Sequence, residues 1–480
     1  MKHLLCGLLL TVLIHSTSAV AAPLVQFKVS RPLLVFNFLE AASGNRNVST
    51  TYRDYILSHI PQEDSADFHR LLRKFNLLML DHSYTYDEYP AGRRRPHSTI
   101  DLIKIAAIQT EDVPAFMQRI TGMLPNETWK TFSAVMLQAD KYFENIVWQT
   151  QKEALLTQMA ALNKYSPRLD SIFTKLNTFY GSSWTRAQPF DVALYPVPGE
   201  RGSTTASPHN NSLVLGVLTR GRDHAGDLGV AAHEISHVLY DEQDIVLQGK
   251  LEEAFEKSRS QYAKYAYSYL NEALATACGN GWAYEQLAGK PDAGNWYNDD
   301  YINRFAHAIY PLVKEYIEAG KRIDPAFASK AIALFEHNLP EALYSFNNLL
   351  NSIRFYTDAE TQDEYATISM ALQNKFRVTS MYGSYPIMDQ QSLASASSTG
   401  ETQVFVIHTA HKENFRSLSE IFPEMKSIDP LAEQLITFRD QRGRSIIIIG
   451  IKDASRMDVA LGVMERMKHY DPEKMVVALN

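Results

Sequence analysis

The sequence predicts an α+β protein, predominantly helical, with a small mixed sheet beside a ligand-bearing helix and a C-terminal α/β unit. Three observations lead there. Helical periodicity dominates residues 51–181 and returns over 297–350. Two short strand-like runs, 190–197 and 213–218, stand directly ahead of His233-Glu234-Ile235-Ser236-His237. After residue 402, apolar strand-type runs alternate with helical patterns.

From the start of the chain, residues 1–21 read as an export signal. Lys2 and His3 open it, residues 4–14 are apolar, and Ala19-Val20-Ala21 fits a small-residue cleavage site ahead of Ala22. The apolar stretch falls short of the ~20 residues that span a bilayer, and no later segment reaches that length. The expectation is an exported protein, periplasmic or secreted, with no membrane anchor after cleavage. Of the two cysteines, Cys6 leaves with the signal and Cys278 stands alone, so no intrachain disulfide can form. Cys278 is expected to be a small buried hydrophobe rather than a ligand, because a fourth protein ligand would close a catalytic metal site to water.

The formal net charge is −7, and −8 once Lys2 is removed (46 basic against 54 acidic residues). That mild acidity leaves no long basic face and excludes a nucleic-acid partner. The run Arg93-Arg94-Arg95, between Gly92 and Pro96, reads as a solvated loop. A mature chain of about 460 residues is long enough for two or three domains.

Residues 22–181 form the expected N-terminal, mainly helical region, preceded by β-type runs at 24–29 and 33–36. Residues 182–390 form the expected catalytic domain. Within it, 190–197 ends in a Pro-x-Pro-Gly turn, 202–211 reads as a polar loop, and 213–218 is a second strand. Residues 391–402, rich in Ser, Ala, Thr and Gly, read as a linker or exposed loop. Residues 403–480 suggest strand, helix, strand, helix, strand, with Ser445-Ile446-Ile447-Ile448-Ile449 buried on both faces.

Chemistry concentrates between 233 and 275. On a helix, His233 and His237 lie one turn apart on the same face, and Glu234 projects near any ion they share. A chance H-E-x-x-H in a chain with 15 histidines arises roughly a few per cent of the time, so context decides. Leu228, Ala231, Ala232, Ile235 and Leu239 supply a buried helical face. A catalytic zinc site needs three protein ligands and one open position, and Glu272, in Tyr269-Leu270-Asn271-Glu272-Ala273-Leu274-Ala275, offers the third. The cofactor is therefore expected to be Zn2+, one ion per chain at His233, His237 and Glu272, with Glu234 the catalytic base. Asn271 and Thr276 are candidates to orient the imidazoles.

These motifs resemble the gluzincins, zincin metallopeptidases in which H-E-x-x-H is completed by a downstream glutamate. The segment 269–275 is similar to the second motif of M1-type aminopeptidases, and the resemblance covers about residues 209–281. Two departures stand out: a spacer of 34 residues between His237 and Glu272, and no exopeptidase signature on a preceding strand, since Phe143-Glu144-Asn145 is helical in pattern. The spacer's charged segment, 241–264, reads as a solvent-facing helical excursion. The resemblance implies a zincin-like catalytic domain, a peptide or protein substrate docked along the strand 211–218, and an oxyanion donor from a later Tyr or His. His307, His337, Tyr382 and Tyr385 compete for that last role. The alternatives are a zinc hydrolase of non-peptide amides and a zincin-like binding protein without activity. Cleavage preference and oligomeric state are not written in the sequence. N-terminal sequencing of the exported protein should begin at Ala22; full-length protein recovered from the cytosol would refute the export reading.

Overall fold

A computed structural model describes residues 23–45, 47–82, 98–386, 400–429 and 432–479. The export signal, the Arg93–Arg95 run and residues 391–399 lie outside the described residues. The protein is α+β and predominantly helical, with two mixed sheets. It divides into two compact units: the first holds residues 1–252 and 271–327, the second 253–270 and 328–480. Among the described residues, no helix is long and apolar enough to cross a membrane.

The first unit is built on a four-stranded sheet of order β1-β2-β4-β3, with strands β1 (Val25–Lys28), β2 (Phe190–Val197), β3 (Ala206–His209) and β4 (Ser212–Leu218). β1, β2 and β4 run parallel, and β3 pairs antiparallel to β4. Helices cover both faces. Opposite faces of β2 carry Phe190, packed on Phe173, and Tyr195, packed on Tyr52. β2 and β4 are accordingly buried almost throughout, as apolar strands between two helical layers should be. The helices of this unit are α1 (Arg31–Ala42), α2 (Thr50–Ser58), α3 (Ser65–Asn76), α4 (Thr99–Ile108), α5 (Val113–Arg119), α6 (Asn126–Phe143), α7 (Gln149–Asn163), α8 (Ser166–Tyr180) and α9 (His224–Asp241). After α9 come α10 (Ile245–Glu256) and α11 (Ala263–Thr276), which each belong partly to the first unit and partly to the second, and then, in the first unit, α12 (Tyr284–Ala288) and α13 (Asp300–Glu318).

Three sequence expectations are corrected here. Residues 33–36 are helical, inside α1, not a strand. Ser30 caps the helix by accepting from the Leu33 N–H, Pro32 sits in the first turn, and every residue from Pro32 to Ala42 is buried. A helix buried all round has no polar face, so its apolar run carries no period to tell it from a strand. Within the expected loop 202–211, the structure forms β3, a short, half-exposed strand containing Pro208. Pro in a short strand marks a sheet edge, and edge strands lack strong alternation. Consequently the strand β4 is interior, and the edge role expected for 211–218 falls to β3.

The long spacer between His237 and Glu272 also has an explanation in the fold. Residues 253–270 belong to the second unit, and the chain rejoins the first at Asn271. The excursion is less solvent-facing than its charge suggests, since Leu247, Leu251 and Phe255 of α10 are buried.

The second unit carries α14 (Pro325–Asn338, from residue 328 onward), α15 (Phe346–Leu349) and a six-stranded sheet of order β10-β8-β9-β7-β5-β6. Its strands are β5 (Ser352–Thr357), β6 (Ser380–Ser384), β7 (Thr402–His408), β8 (Gln434–Arg439), β9 (Ser445–Ile451) and β10 (Val476–Ala478). β6, β5, β7 and β9 run parallel, β8 runs antiparallel to β9, and β10 pairs antiparallel to β8. The sheet therefore starts at Ser352, upstream of residues 391–402, and includes β8, which the sequence pattern did not reveal. Among the described residues, the helices that follow within this unit are α16 (Gln362–Lys375), α17 (Lys412–Ile421) and α18 (Met457–Met467). Phe415 and Leu418 of α17 pack with Phe405, Ile436 and Ile448 on one face, while Tyr365 of α16 packs edge-on to Phe355, which points to the opposite face. The isoleucines of β9 are fully buried. Ile448→Ala should cost about 2–5 kcal/mol, read as a lowered denaturation midpoint of this unit.

Candidate metal centre

The site grows out of the β4–α9 connection. Asp223 caps α9, its carboxylate accepting the Gly226 N–H at 3.0 Å. One face of the helix buries Leu228, Ala231, Ala232, Ile235 and Leu239, which leaves His233 and His237 on the flank that faces the α11 segment. α11 runs into a wide, π-type turn over Ala277–Ala283. There the two backbones touch. A Cβ built on Gly279 would stand 2.5 Å from both the Gly229 carbonyl oxygen and the His233 nitrogen. Only glycine lets α9 approach this closely, and that approach brings Glu272 to the two imidazoles.

The three expected ligands converge. His233 Nε2 and His237 Nε2 are 3.1 Å apart, and each lies 3.6 Å from Glu272 Oε2. A tetrahedral ion with ligand bonds of about 2.0–2.1 Å spaces its donors by about 3.3–3.4 Å, so this triangle fits zinc. Glu272 Oε2 is buried with no hydrogen bond of its own, the mark of an oxygen kept for a cation. Asn271 Oδ1 lies 3.0 Å from His237 Nδ1, so Asn271 accepts that N–H and leaves Nε2 as the lone-pair donor. Thr276 does not share that role: its hydroxyl is fully buried and unpartnered.

Electrostatics follow the geometry. Burial alone would raise Glu272, but the facing imidazoles outweigh it and hold the carboxyl well below the usual range. Burial would lower His237, yet Glu272 and Glu234 reverse this and raise it to about 9. A carboxylate held ionised beside a raised imidazole is a negative pocket that a metal ion can occupy in place of the proton. Glu234 is buried, and burial raises its pKa, with the two imidazoles opposing and Glu272 adding to the rise. Cys278 is a core thiol as expected, pushed up to about 12 by burial, with Tyr180 donating to its sulfur.

A cleft of about 1050 Å³ opens over these residues. One wall is residues 204–208, which includes the start of β3; another holds Tyr297, whose ring stacks on His233 with centroids 6.0 Å apart. Burial, followed by the nearby Glu272 charge, raises the Tyr297 hydroxyl far above an ordinary phenol, so it stays a proton donor. Sequence reasoning missed Tyr297. Of the four residues it offered for the oxyanion, His307 stacks on Trp296, Tyr385 stacks on Tyr365, Arg354 lies over Tyr382, and His337 sits in the last turn of α14. None of the four lines the cleft. The Asp299-capped start of α13, just after Tyr297, was the only nearby signal.

Comparison with protein-family models, with curated proteins and with solved structures finds no match to this chain.

Two outcomes test the centre. His233→Ala/His237→Ala should lose one equivalent of bound zinc relative to the parent protein, read by elemental analysis. Gly279→Ala should lower zinc retention although it alters no donor atom, because the new methyl meets the backbone of Gly229 and His233, which cannot give way. A stability loss of about 1–3 kcal/mol should accompany it.

Proposed function

We propose that this chain is an exported zinc-dependent peptidase of the gluzincin type, with a zincin-like first unit. The observation that carries the reading is the triangle of His233, His237 and Glu272 with Glu234 buried beside it, in a cleft walled by an edge strand. Zinc held there would lower the pKa of a water toward ~7 and polarise a scissile carbonyl. The protein's own groups supply the rest. Glu234 takes a proton from the attacking water and passes it to the leaving amine, and its raised pKa suits both halves of that transfer. Tyr297 donates its hydroxyl hydrogen to the oxygen that becomes negative as the carbonyl carbon turns tetrahedral. Asn271 keeps the His237 ring in register.

Substrate recognition follows from the sheet. β3 pairs with β4 on one side only, and residues 204–208 border the cleft. An extended peptide can add to that free edge by main-chain hydrogen bonds, which reads backbone rather than one side chain. The reading therefore favours cleavage within extended or unfolded polypeptide.

Glu234→Gln should keep its zinc and its fold, because the amide is isosteric and is no ligand, yet lose at least ~10²-fold in peptide hydrolysis. Tyr297→Phe should lower kcat by about 10²-fold with little change in KM, since its contact forms only as the oxyanion develops. Wild-type rates from Glu234→Gln would disprove the mechanism, and a parent protein inert toward a broad peptide library would disprove the peptidase assignment.

A further inference from the structure

A second set of imidazole and carboxylate groups sits in the second unit, at a position its topology singles out. From β5 the chain passes through α16 to β6 on one side, and from β7 through α17 toward β8 and β9 on the other. α16 and α17 lie on opposite faces of the sheet, as the packing of Tyr365 on Phe355 and of Phe415 with Phe405 requires. Between β5 and β7 the winding thus reverses. The crevice beyond the carboxyl ends of such a strand pair is where open α/β sheets take ligands. Asp358 follows β5 directly, His408 ends β7, and His411 stands at the cap of α17.

These three meet around one carboxylate. Asp358 Oδ1 lies 2.7 Å from His408 Nδ1, and Asp358 Oδ2 lies 2.9 Å from His411 Nδ1. The backbone N–H of His408 and the Asn414 amide also donate to Asp358, which fixes its orientation. One donor atom from each of Asp358, His408 and His411 lies within 4.8 Å of the other two. Across each ring a second carboxylate waits: Glu364 Oε1 is 3.1 Å from His408 Nε2, and Glu360 Oε1 is 3.7 Å from His411 Nε2. Asp358 and His408 are more than nine-tenths buried.

The chemistry of this arrangement is restrictive. A carboxylate only accepts, so a ring nitrogen facing one needs either a proton or a cation. His408 faces carboxylates from both nitrogens. Two protons would make it a buried imidazolium. A metal ion on the Nδ1 side would replace the Nδ1 protons and leave the rings neutral, the donors opening from 2.7 and 2.9 Å toward the ~3.3 Å of a tetrahedral set, with each ring keeping its Nε2–H for a glutamate. That is the carboxylate–histidine–metal relay common at metal sites. We propose that Asp358, His408 and His411 form a second metal site, for a zinc-class divalent transition ion, with Glu364 and Glu360 holding the far ring nitrogens. Two imidazoles and one carboxylate are a nitrogen–oxygen set suited to such ions, and three protein ligands leave a coordination position open to an exogenous ligand. This site stands independently of the peptidase reading.

The test uses the full-length chain carrying His233→Ala/His237→Ala, so that the first centre cannot contribute. After dialysis against zinc and then metal-free buffer, elemental analysis should find about one equivalent retained. Titration with cobalt(II) should give visible absorption bands from nitrogen–oxygen coordination. Adding His408→Ala/His411→Ala should abolish both signals. Since that variant disturbs a buried network, His411→Ala alone, at a partly exposed residue, provides the second measure: with unchanged circular dichroism it should weaken zinc binding at least tenfold. A folded parent variant that retains no zinc and shows no cobalt bands overturns the proposal, as does binding unaffected by His411→Ala. If one equivalent survives His233→Ala/His237→Ala but falls with His411→Ala, this site stands whether or not the first one binds metal.

Discussion

The close approach of two glycine-bearing segments, Gly229 on α9 and Gly279 in the turn after α11, is the constraint on which the first unit's chemistry depends. With backbone atoms where a Cβ would stand, no other residue at 279 preserves the spacing. The histidine pair itself is local: helix geometry alone sets His233 beside His237. The third member of the triangle is not local. Glu272 reaches the pair only because its helix can lie against α9 at backbone distance, and because the turn over 277–283 widens to let it do so. Wide turns of this type are weak as helices, and they recur where a function needs the local distortion.

That constraint creates an electrostatic one. Two imidazoles, Glu272 and Glu234 crowd the floor of the cleft, where His233 and Glu234 are buried. Without a cation, the carboxylates favour a proton on His237, which is why His237 is raised and Glu272 held low. A divalent ion would relieve the same imbalance. Glu234, outside the triangle, keeps a pKa lifted by burial, and the opposite shifts of the two neighbouring glutamates come from environment alone.

Much of the site was legible in the sequence because its signals were periodic or local. The i, i+4 histidines, the glutamate between them and the Asn271-Glu272 pair all rest on helix geometry, and the structure brings them together. What escaped had no such period. Tyr297 lies in an irregular segment before α13, among 25 tyrosines. β3 is a four-residue edge strand whose half-exposed residues, Pro208 among them, read as loop. α1 was taken in part for a strand because its burial on every face erased the polar stripe that marks a helix. Asp358, His408 and His411 are far apart in sequence, and only the parallel pairing of β5 with β7 unites them.

The same contrast explains how the chain can carry a 34-residue spacer between ligands without losing the ligand geometry. Residues 253–270 fold with the second unit, while the positions of His237 and Asn271 are fixed by contacts inside the first. An excursion of this kind lengthens a loop already closed by its flanking segments, and loop-closure entropy grows only with the logarithm of length. A shift at the Gly229–Gly279 contact, by comparison, acts directly on three donor atoms held within 3.6 Å of one another. Sequence distance between the three side chains is thus a poor measure of the triangle's integrity, which depends on the closeness of the two segments that bear them.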